Sequence, residues 1–165
     1  MGSMNIRFRP TTANDIAFVV AIESLPDNSM FVTSQSEETH RQYLLNPDVS
    51  HWIIENDEKK PLGYIILVGV EQRVVIEFRR IVIVEKGAGI GRTALRWIKH
   101  FAFEECKVHR LWLDVVTNND RACHLYRSEG FLEEGVLREC IKTPSGWNSL
   151  MVMSMLAHEY TPTTL

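Results

Sequence analysis

The chain has 165 residues, 45% of them hydrophobic and 24% charged, with a formal net charge of -3. That length suits one ordinary domain with a sizeable core, and the composition excludes disordered and collagen-like chains. The slight negative charge excludes a general attraction to nucleic acid or to anionic membranes, so any basic site has to be local.

Cys106, Cys123 and Cys140 are widely spaced and lack the C-x-x-C pairing of zinc or dithiol sites, which suits a reducing cytoplasm. No basic segment with an apolar stretch behind it opens the chain, and no apolar run of about 18 residues occurs, so neither secretion nor membrane insertion is expected. Met1-Gly2-Ser3 reads as a remnant of an expression tag, and residues 4–160 as a single domain.

Asn5 to Arg9 reads as a short strand. Thr11-Thr12-Ala13-Asn14-Asp15 then supplies capping residue types ahead of Ile16, Val19, Val20 and Ile22, which recur at helical spacing. Pro26 to Thr33 reads as loop. Ser34 to Leu45 reads as a second helix, with acidic Glu37 and Glu38 in its first turn and Asn46-Pro47 as its stop. His51 to Glu55 and Leu62 to Val70 are β-branched runs separated by a polar turn, as in a hairpin. Arg73 to Val84 is a third β-rich run, and its final part, Ile81 to Val84, is expected to be buried.

From Ile90 to Glu105 apolar residues recur every three or four positions, marking one face of an amphipathic helix. Leu111, Leu113 and Val115 belong to the next strand. Thr117 to Asp120 can start another helix, with Ala122, Leu125 and Tyr126 on one face and Gly130 placed to end it. Phe131 to Ile141 and Ser149 to Leu156 flank Thr143-Pro144-Ser145-Gly146 and predict a closing hairpin. The element order describes an α/β (mixed α+β) fold, with helices on the faces of one sheet and a strand-helix-strand crossover at its centre.

The crossover carries the main chemical signal. Lys86-Gly87-Ala88-Gly89-Ile90-Gly91 joins a strand to a helix, which gathers unpaired backbone N–H groups where the helix dipole favours an anion. Glycines there let phosphate oxygens approach the backbone, and Lys86 and Arg92 add local positive charge. The string is neither a Walker loop nor a dinucleotide fingerprint. By itself it also fits a plain tight turn.

Lys86-x-x-Gly89-x-Gly91 is similar to the Gln/Arg-x-x-Gly-x-Gly/Ala loop of the GNAT superfamily of acyltransferases, with lysine in the first place. The family's second signature, Asn-x-x-Ala-x-x-Leu-Tyr followed by Gly-Phe, is met by Asn119, Ala122, Leu125, Tyr126, Gly130 and Phe131. The resemblance runs most specifically from Val75 to Phe131 and more loosely from Ile6 to Leu156. It implies the GNAT fold, a central, mostly antiparallel sheet of about seven strands flanked by helices, and transfer of an acetyl group from acetyl-CoA to a primary amine. The polyamine and protein N-terminal acetyltransferase branches are both similar.

The resemblance also implies residue roles. The main chain of Ile81, Val82 and Ile83 would hold the pantetheine arm between the fourth and fifth strands. Lys86, Gly87, Ala88, Gly89, Ile90, Gly91 and Arg92 would hold the pyrophosphate, and Asn119 would bond the arm, unless Asn119 is only a helix cap. Transfer by direct attack in a ternary complex needs a neutral amine, a stabilised oxyanion and a proton for the leaving thiolate. Glu77 is the candidate to take the ammonium proton, directly or through water; the alternative is a strand carboxylate paired with Arg79 or Arg80. Tyr126 is the candidate to protonate the sulfur, the alternative being a core aromatic. A main-chain N–H near Val82 to Val84 would bind the oxyanion. Cys123 reads as a buried thiol rather than a nucleophile.

The amine would be received by the first two helices and the last hairpin, where Glu23, Asp27, Glu37, Glu38 and Trp147 suit a cation. Neither a metal, a nucleic acid nor a membrane is expected, and the acceptor is a small-molecule or peptide amine. A homodimer through the last strands is a further expectation, because Met151, Met153 and Met155 alternate with Val152, Ser154 and Leu156. The rival readings are a non-catalytic acyl-CoA sensor, which would not need Glu77 or Tyr126, and a purely structural domain of the same fold.

Overall fold

The computed structural model describes residues 4–163. Met1-Gly2-Ser3, read above as a tag remnant, lies outside them. Among the described residues seven strands form one sheet: β1 (Ile6–Pro10), β2 (Val49–Asn56), β3 (Pro61–Val68), β4 (Val75–Ile83), β5 (Arg110–Val116), β6 (Leu132–Thr143) and β7 (Gly146–Leu156). Their order is β1-β2-β3-β4-β5-β7-β6. β1–β2, β2–β3, β5–β7 and β6–β7 are antiparallel, whereas β4 and β5 run parallel, as a strand-helix-strand crossover requires. The helices are α1 (Ile16–Glu23), α2 (Pro26–Ser29), α3 (Glu37–Leu45), α4 (Ile90–His100) and α5 (Asp120–Ser128).

The chain forms two compact units. Among the described residues one is built from residues 4–71 together with Arg79–Gly91, the other from Gln72–Phe78 together with residues 92–163. In the first unit, Val19 and Ile22 of α1 pack on Ile53 of β2, Tyr64 and Ile66 of β3 and Val82 of β4. The near-continuous burial of β3 explains its unbroken apolar run. In the second unit, β7 lies between β5 and β6, with Arg110↔Leu156 to Val116↔Leu150 on one side and Leu132↔Ser154 to Thr143↔Gly146 on the other.

Three expectations shift. Pro26 to Thr33 is not all loop: proline at the first helical position and Asp27 in the first turn form the single turn of α2. The second helix begins at Glu37 rather than Ser34, because the Ser36 side chain caps it by accepting the Thr39 N–H at 3.1 Å. The long amphipathic helix stops being regular at Phe101, where a π-helical turn, Phe101–Glu105, closes with Cys106 N–H on the Phe101 carbonyl at 2.9 Å.

β7 also corrects the expected dimer surface. Met153 and Met155 are buried, and both edges of the strand are paired within the chain. The open edge in this unit belongs to β6, whose Leu132, Val136 and Leu137 are exposed.

Candidate active site

β4 leads into the glycine loop, and α4 starts at Ile90 directly behind it. Gly87 has φ of 88° and Gly89 of 77°, left-handed conformations that favour glycine. A Cβ at either position would meet nothing within 4 Å, so the glycines are required by the backbone and leave the space over the loop clear. Such a loop at a helix N-terminus fits a pyrophosphate. Lys86 reaches back from it: Nζ donates to the Asp27 carbonyl at 2.9 Å.

Of the strand expected to hold the cofactor arm, Val82 is buried and Ile81 and Ile83 are half-buried. β3 approaches it so closely that a Cβ on Gly63 would lie 2.3 Å from the Val82 carbonyl oxygen. The Ile83 carbonyl is already engaged, accepting Asn28 Nδ2 at 3.2 Å, while the same amide donates to the Ile22 carbonyl at 2.9 Å.

The remaining expected residues, Glu77, Arg92, Asn119 and Tyr126, belong to the second unit. Asn119 caps α5, its side-chain oxygen accepting the Ala122 N–H at 3.3 Å. Tyr126 is buried, its ring edge-on to Phe78 and Phe131, each at 6.1 Å between centroids. Burial raises its phenol, which keeps the proton on oxygen at neutral pH. Phe78 is the β4 residue that meets Tyr126. Strand alternation turns half-buried Glu77 to the opposite face, so the two proposed proton-transfer groups do not share one side of β4. Cys123 is buried with a raised thiol, and its Sγ lies 3.9 Å from the Val116 carbonyl, consistent with a structural role.

Arg92 does not stand alone as a phosphate cation. With Arg96 and Lys99 it converges on Glu129, at 2.5, 3.2 and 3.0 Å respectively. Burial would raise the Glu129 carboxyl, but the bonds from Arg96, Lys99 and Arg92 outweigh it and hold the group below its ordinary value. The spacing of the three cations along one stripe of α4 was visible in sequence; their common partner was not.

A further polar cluster among the described residues was not expected as a cluster, and it takes up Glu23, which was expected to suit a cation, inside the protein. Glu23 at the end of α1 is fully buried, and its Oε1 accepts the Tyr64 hydroxyl at 2.6 Å and His40 Nε2 at 2.7 Å. Arg80 Nη1 stands 3.4 Å from the same oxygen and donates to the Thr33 carbonyl at 2.9 Å, while Glu23 Oε2 accepts the Gln35 N–H at 2.8 Å. His40 Nδ1 meets His51 Nε2 at 3.2 Å, and His51 Nδ1 meets the Thr11 hydroxyl at 2.7 Å. Burial would raise the Glu23 carboxyl, yet the bonds from His40, Tyr64 and the Gln35 amide keep it low and ionised. His51 is pushed down to about 4, first by burial and then by its electrostatic interaction with the His40 ring, so it is neutral at physiological pH. Arg80, one of the two partners expected for a structural Glu77, pairs with Glu23.

At Trp147, offered above as an aromatic face for a cation, Lys142 Nζ already lies 6.0 Å from the ring centroid.

A seven-stranded mixed sheet whose parallel pair is joined through a glycine loop at a helix N-terminus, followed by a helix carrying Asn119 and Tyr126, is the arrangement that the resemblance to N-acyltransferases implies. The chain belongs to the acetyltransferase (GNAT) family, whose model matches residues 18–131. The spermidine N(1)-acetyltransferase of Vibrio cholerae serotype O1 is 26% identical over 75% of this chain and 73% of the relative. A solved spermidine N-acetyltransferase from Vibrio cholerae in complex with CoA and spermine is 22% identical, with a TM-score of 0.85, over 94% of this chain and 97% of that one. A dodecameric structure of the Vibrio cholerae enzyme is 23% identical, with a TM-score of 0.79, over 94% and 95%. At those identities the two structures establish the fold. The protein is an acetyl-CoA-dependent N-acetyltransferase that acetylates a primary amine, and neither the sensor nor the protein N-terminus is favoured. Among the described residues no helix is long and apolar enough to cross a membrane.

Proposed function

We infer that the amine is an aliphatic polyamine or a similar small polycation. The observation that carries this is charge. Between Arg9 and Arg41 the chain holds Asp15, Glu23, Asp27, Glu37 and Glu38 and no lysine or arginine; Arg9, Arg80 and Arg41 pair with Asp15, Glu23 and Glu37, so of these five it is the carboxylates of Asp27 and Glu38 that are left to draw a cation. That stretch includes α1, α2 and the start of α3, the region expected to receive the amine. A cation is drawn to such a field from a distance. The names of the curated relatives support the same substrate class.

In this reading the loop 86–92 holds the pyrophosphate of acetyl-CoA through its N–H groups, with the Lys86 side chain auxiliary, and the main chain of Ile81, Val82 and Ile83 lines the arm. Asn119 spends its carbonyl oxygen on the helix cap and retains its amide N–H groups for the arm. The amine attacks the thioester carbonyl carbon, the C–S bond breaks, and the departing sulfur takes the Tyr126 proton. The proton lost by the attacking nitrogen passes first to water, and Glu77, turned to the other face of β4 from the Phe78 that meets Tyr126, takes it only through that water. Attack is direct, because the raised, buried Cys123 is a poor nucleophile. The cytoplasm suits three free cysteines, and the dodecameric relative supports self-association of copies.

Thiol release measured on mixing acetyl-CoA with spermidine, spermine, a simple monoamine and a peptide with a free N-terminus tests the assignment. Preference for the polyamines supports it. Preference for the peptide, or release from none of the amines, sinks it.

A further inference from the structure

The segment from Asp27 to Gln35, between α1 and α3, is tied along β4 and its following loop at three separate points. Asn28 Nδ2 bonds the Ile83 carbonyl at 3.2 Å, Lys86 Nζ the Asp27 carbonyl at 2.9 Å, and Arg80 Nη1 the Thr33 carbonyl at 2.9 Å. The first two are single bonds. The third belongs to an extensive buried structure: Arg80 is aimed by Glu23, which is held in turn by Tyr64 and His40, and His40 by His51. The rings interlock, His51 stacked on Tyr64 at 5.3 Å and His40 edge-on to His51 and Tyr64 at 5.4 and 5.7 Å. Glu23 also takes the Gln35 N–H, so one carboxylate and one guanidinium together grip Thr33 and Gln35.

A buried ionic cluster is a poor device for stability alone, because apolar residues of the same volume often serve as well. It is a good device for holding one backbone conformation, since its partners accept only narrow geometry. The gripped segment has no regular structure of its own from Thr33 to Gln35, and Arg80 directly precedes Ile81 to Ile83 on β4. Among the described residues the one buried side-chain polar atom lacking a partner, Gln35 Oε1, also lies on this segment, an acceptor that an N–H donor would satisfy.

We propose that Glu23 and Arg80 are positioning residues for the acceptor amine, clamping Thr33 to Gln35 into the conformation that receives it. This rests on the reading that the α1 to α3 side takes the amine. Neither residue touches the reacting atoms, so the expected signature is a split between the two substrates.

Steady-state kinetics on Arg80→Lys and Glu23→Gln, with the amine that wild type uses best in the panel above, supply the test. Lysine keeps the charge beside Glu23 but cannot span both Glu23 and Thr33. Arg80→Lys should raise KM for the amine about tenfold, the loss of one charge-assisted bond, and leave KM for acetyl-CoA within about twofold. In Glu23→Gln the amide oxygen can still accept the Gln35 N–H, but the NH2 then faces Tyr64, His40 and Arg80, so Arg80 loses its acceptor and KM for the amine should rise in the same direction. A matched rise in both KM values, or no rise in either, overturns the proposal while the transferase reading stands; a wild type that releases no thiol with any amine overturns both. Should the variants fail to fold, amide hydrogen exchange of wild-type Gln35 decides: slower exchange with the amine bound supports the clamp, and unchanged exchange refutes it.

Discussion

Lys99 and Glu129 meet twice, Nζ donating to the Glu129 main-chain carbonyl at 2.9 Å and to its carboxylate at 3.0 Å, with both residues buried. α4, which opens from the phosphate loop, is thereby bolted to the C-terminal cap of α5, the helix that carries Tyr126. With Arg92 and Arg96 on the same carboxylate, removing the Glu129 side chain takes that partner from three cations, of which buried Lys99 keeps only the main-chain carbonyl.

Glu129→Ala should therefore cost about 3–5 kcal/mol of stability, read from the urea midpoint at neutral pH. The folded carboxyl is held below its unfolded value, so this stabilisation is present above the unfolded value, near pH 4.3, and fades as pH falls through the folded one. Acid unfolding of the variant should begin from a lower plateau and be less steep. An unchanged urea midpoint would contradict the network.

His51 supplies a second pH dependence of the same sign. Its folded value of about 4 lies below the ordinary 6.5, so the unfolded chain binds its proton first as pH falls. Stability should drop between about pH 6.5 and 4 by up to ~3 kcal/mol from this group. His51→Asn should flatten that part of the profile, and a profile of unchanged slope would exclude His51 as its source.

Tyr126→Phe keeps the ring between Phe78 and Phe131 and removes only the hydroxyl. Turnover is expected to fall by roughly 10²–10⁴, the usual contribution of a positioned proton donor, with acetyl-CoA affinity nearly unaltered in calorimetry. Undiminished turnover would return Tyr126 to the role of a core aromatic.

Gly89→Val forces a β-branched residue to a φ of 77°. The space around an added Cβ is open, so the fold should survive while the loop's N–H groups lose their aim. The left-handed conformation alone costs about 1–2 kcal/mol, and acetyl-CoA affinity should weaken about tenfold or more. Equal affinity in titration calorimetry would refute the phosphate-loop reading.

Gly63→Ala tests the close approach of β3 to β4. The new methyl would sit 2.3 Å from the Val82 carbonyl, backbone that cannot step aside cheaply. A loss of about 3 kcal/mol or more is expected from thermal unfolding, and a change within about 0.5 kcal/mol would contradict the spacing.

The sequence by itself determined what short-range chemistry governs. The glycine loop opens α4, Asn119 caps α5, Gly130 ends it at a φ of 95°, and the β-branched runs became β2, β3 and β4. Each signal lies within a few residues of the feature it specifies, because caps, turns and side-chain periods act over one or two turns of chain. Both family motifs are of that kind, so the reaction class was legible before any fold.

Only the tertiary structure decided what Glu23, His40, His51, Tyr64 and Arg80 do. They are up to 57 residues apart and sit on α1, α3, β2, β3 and β4, where no spacing rule connects them. Sheet register does: with Ile53 opposite Tyr64 and His51 opposite Ile66, His51 and Tyr64 become diagonal neighbours on one face and stack. α1 then brings Glu23 onto that face, and a carboxylate buried there is tolerable only because four donors from separate elements converge on it. Such convergence is a property of packing, and no local stretch of the chain contains it.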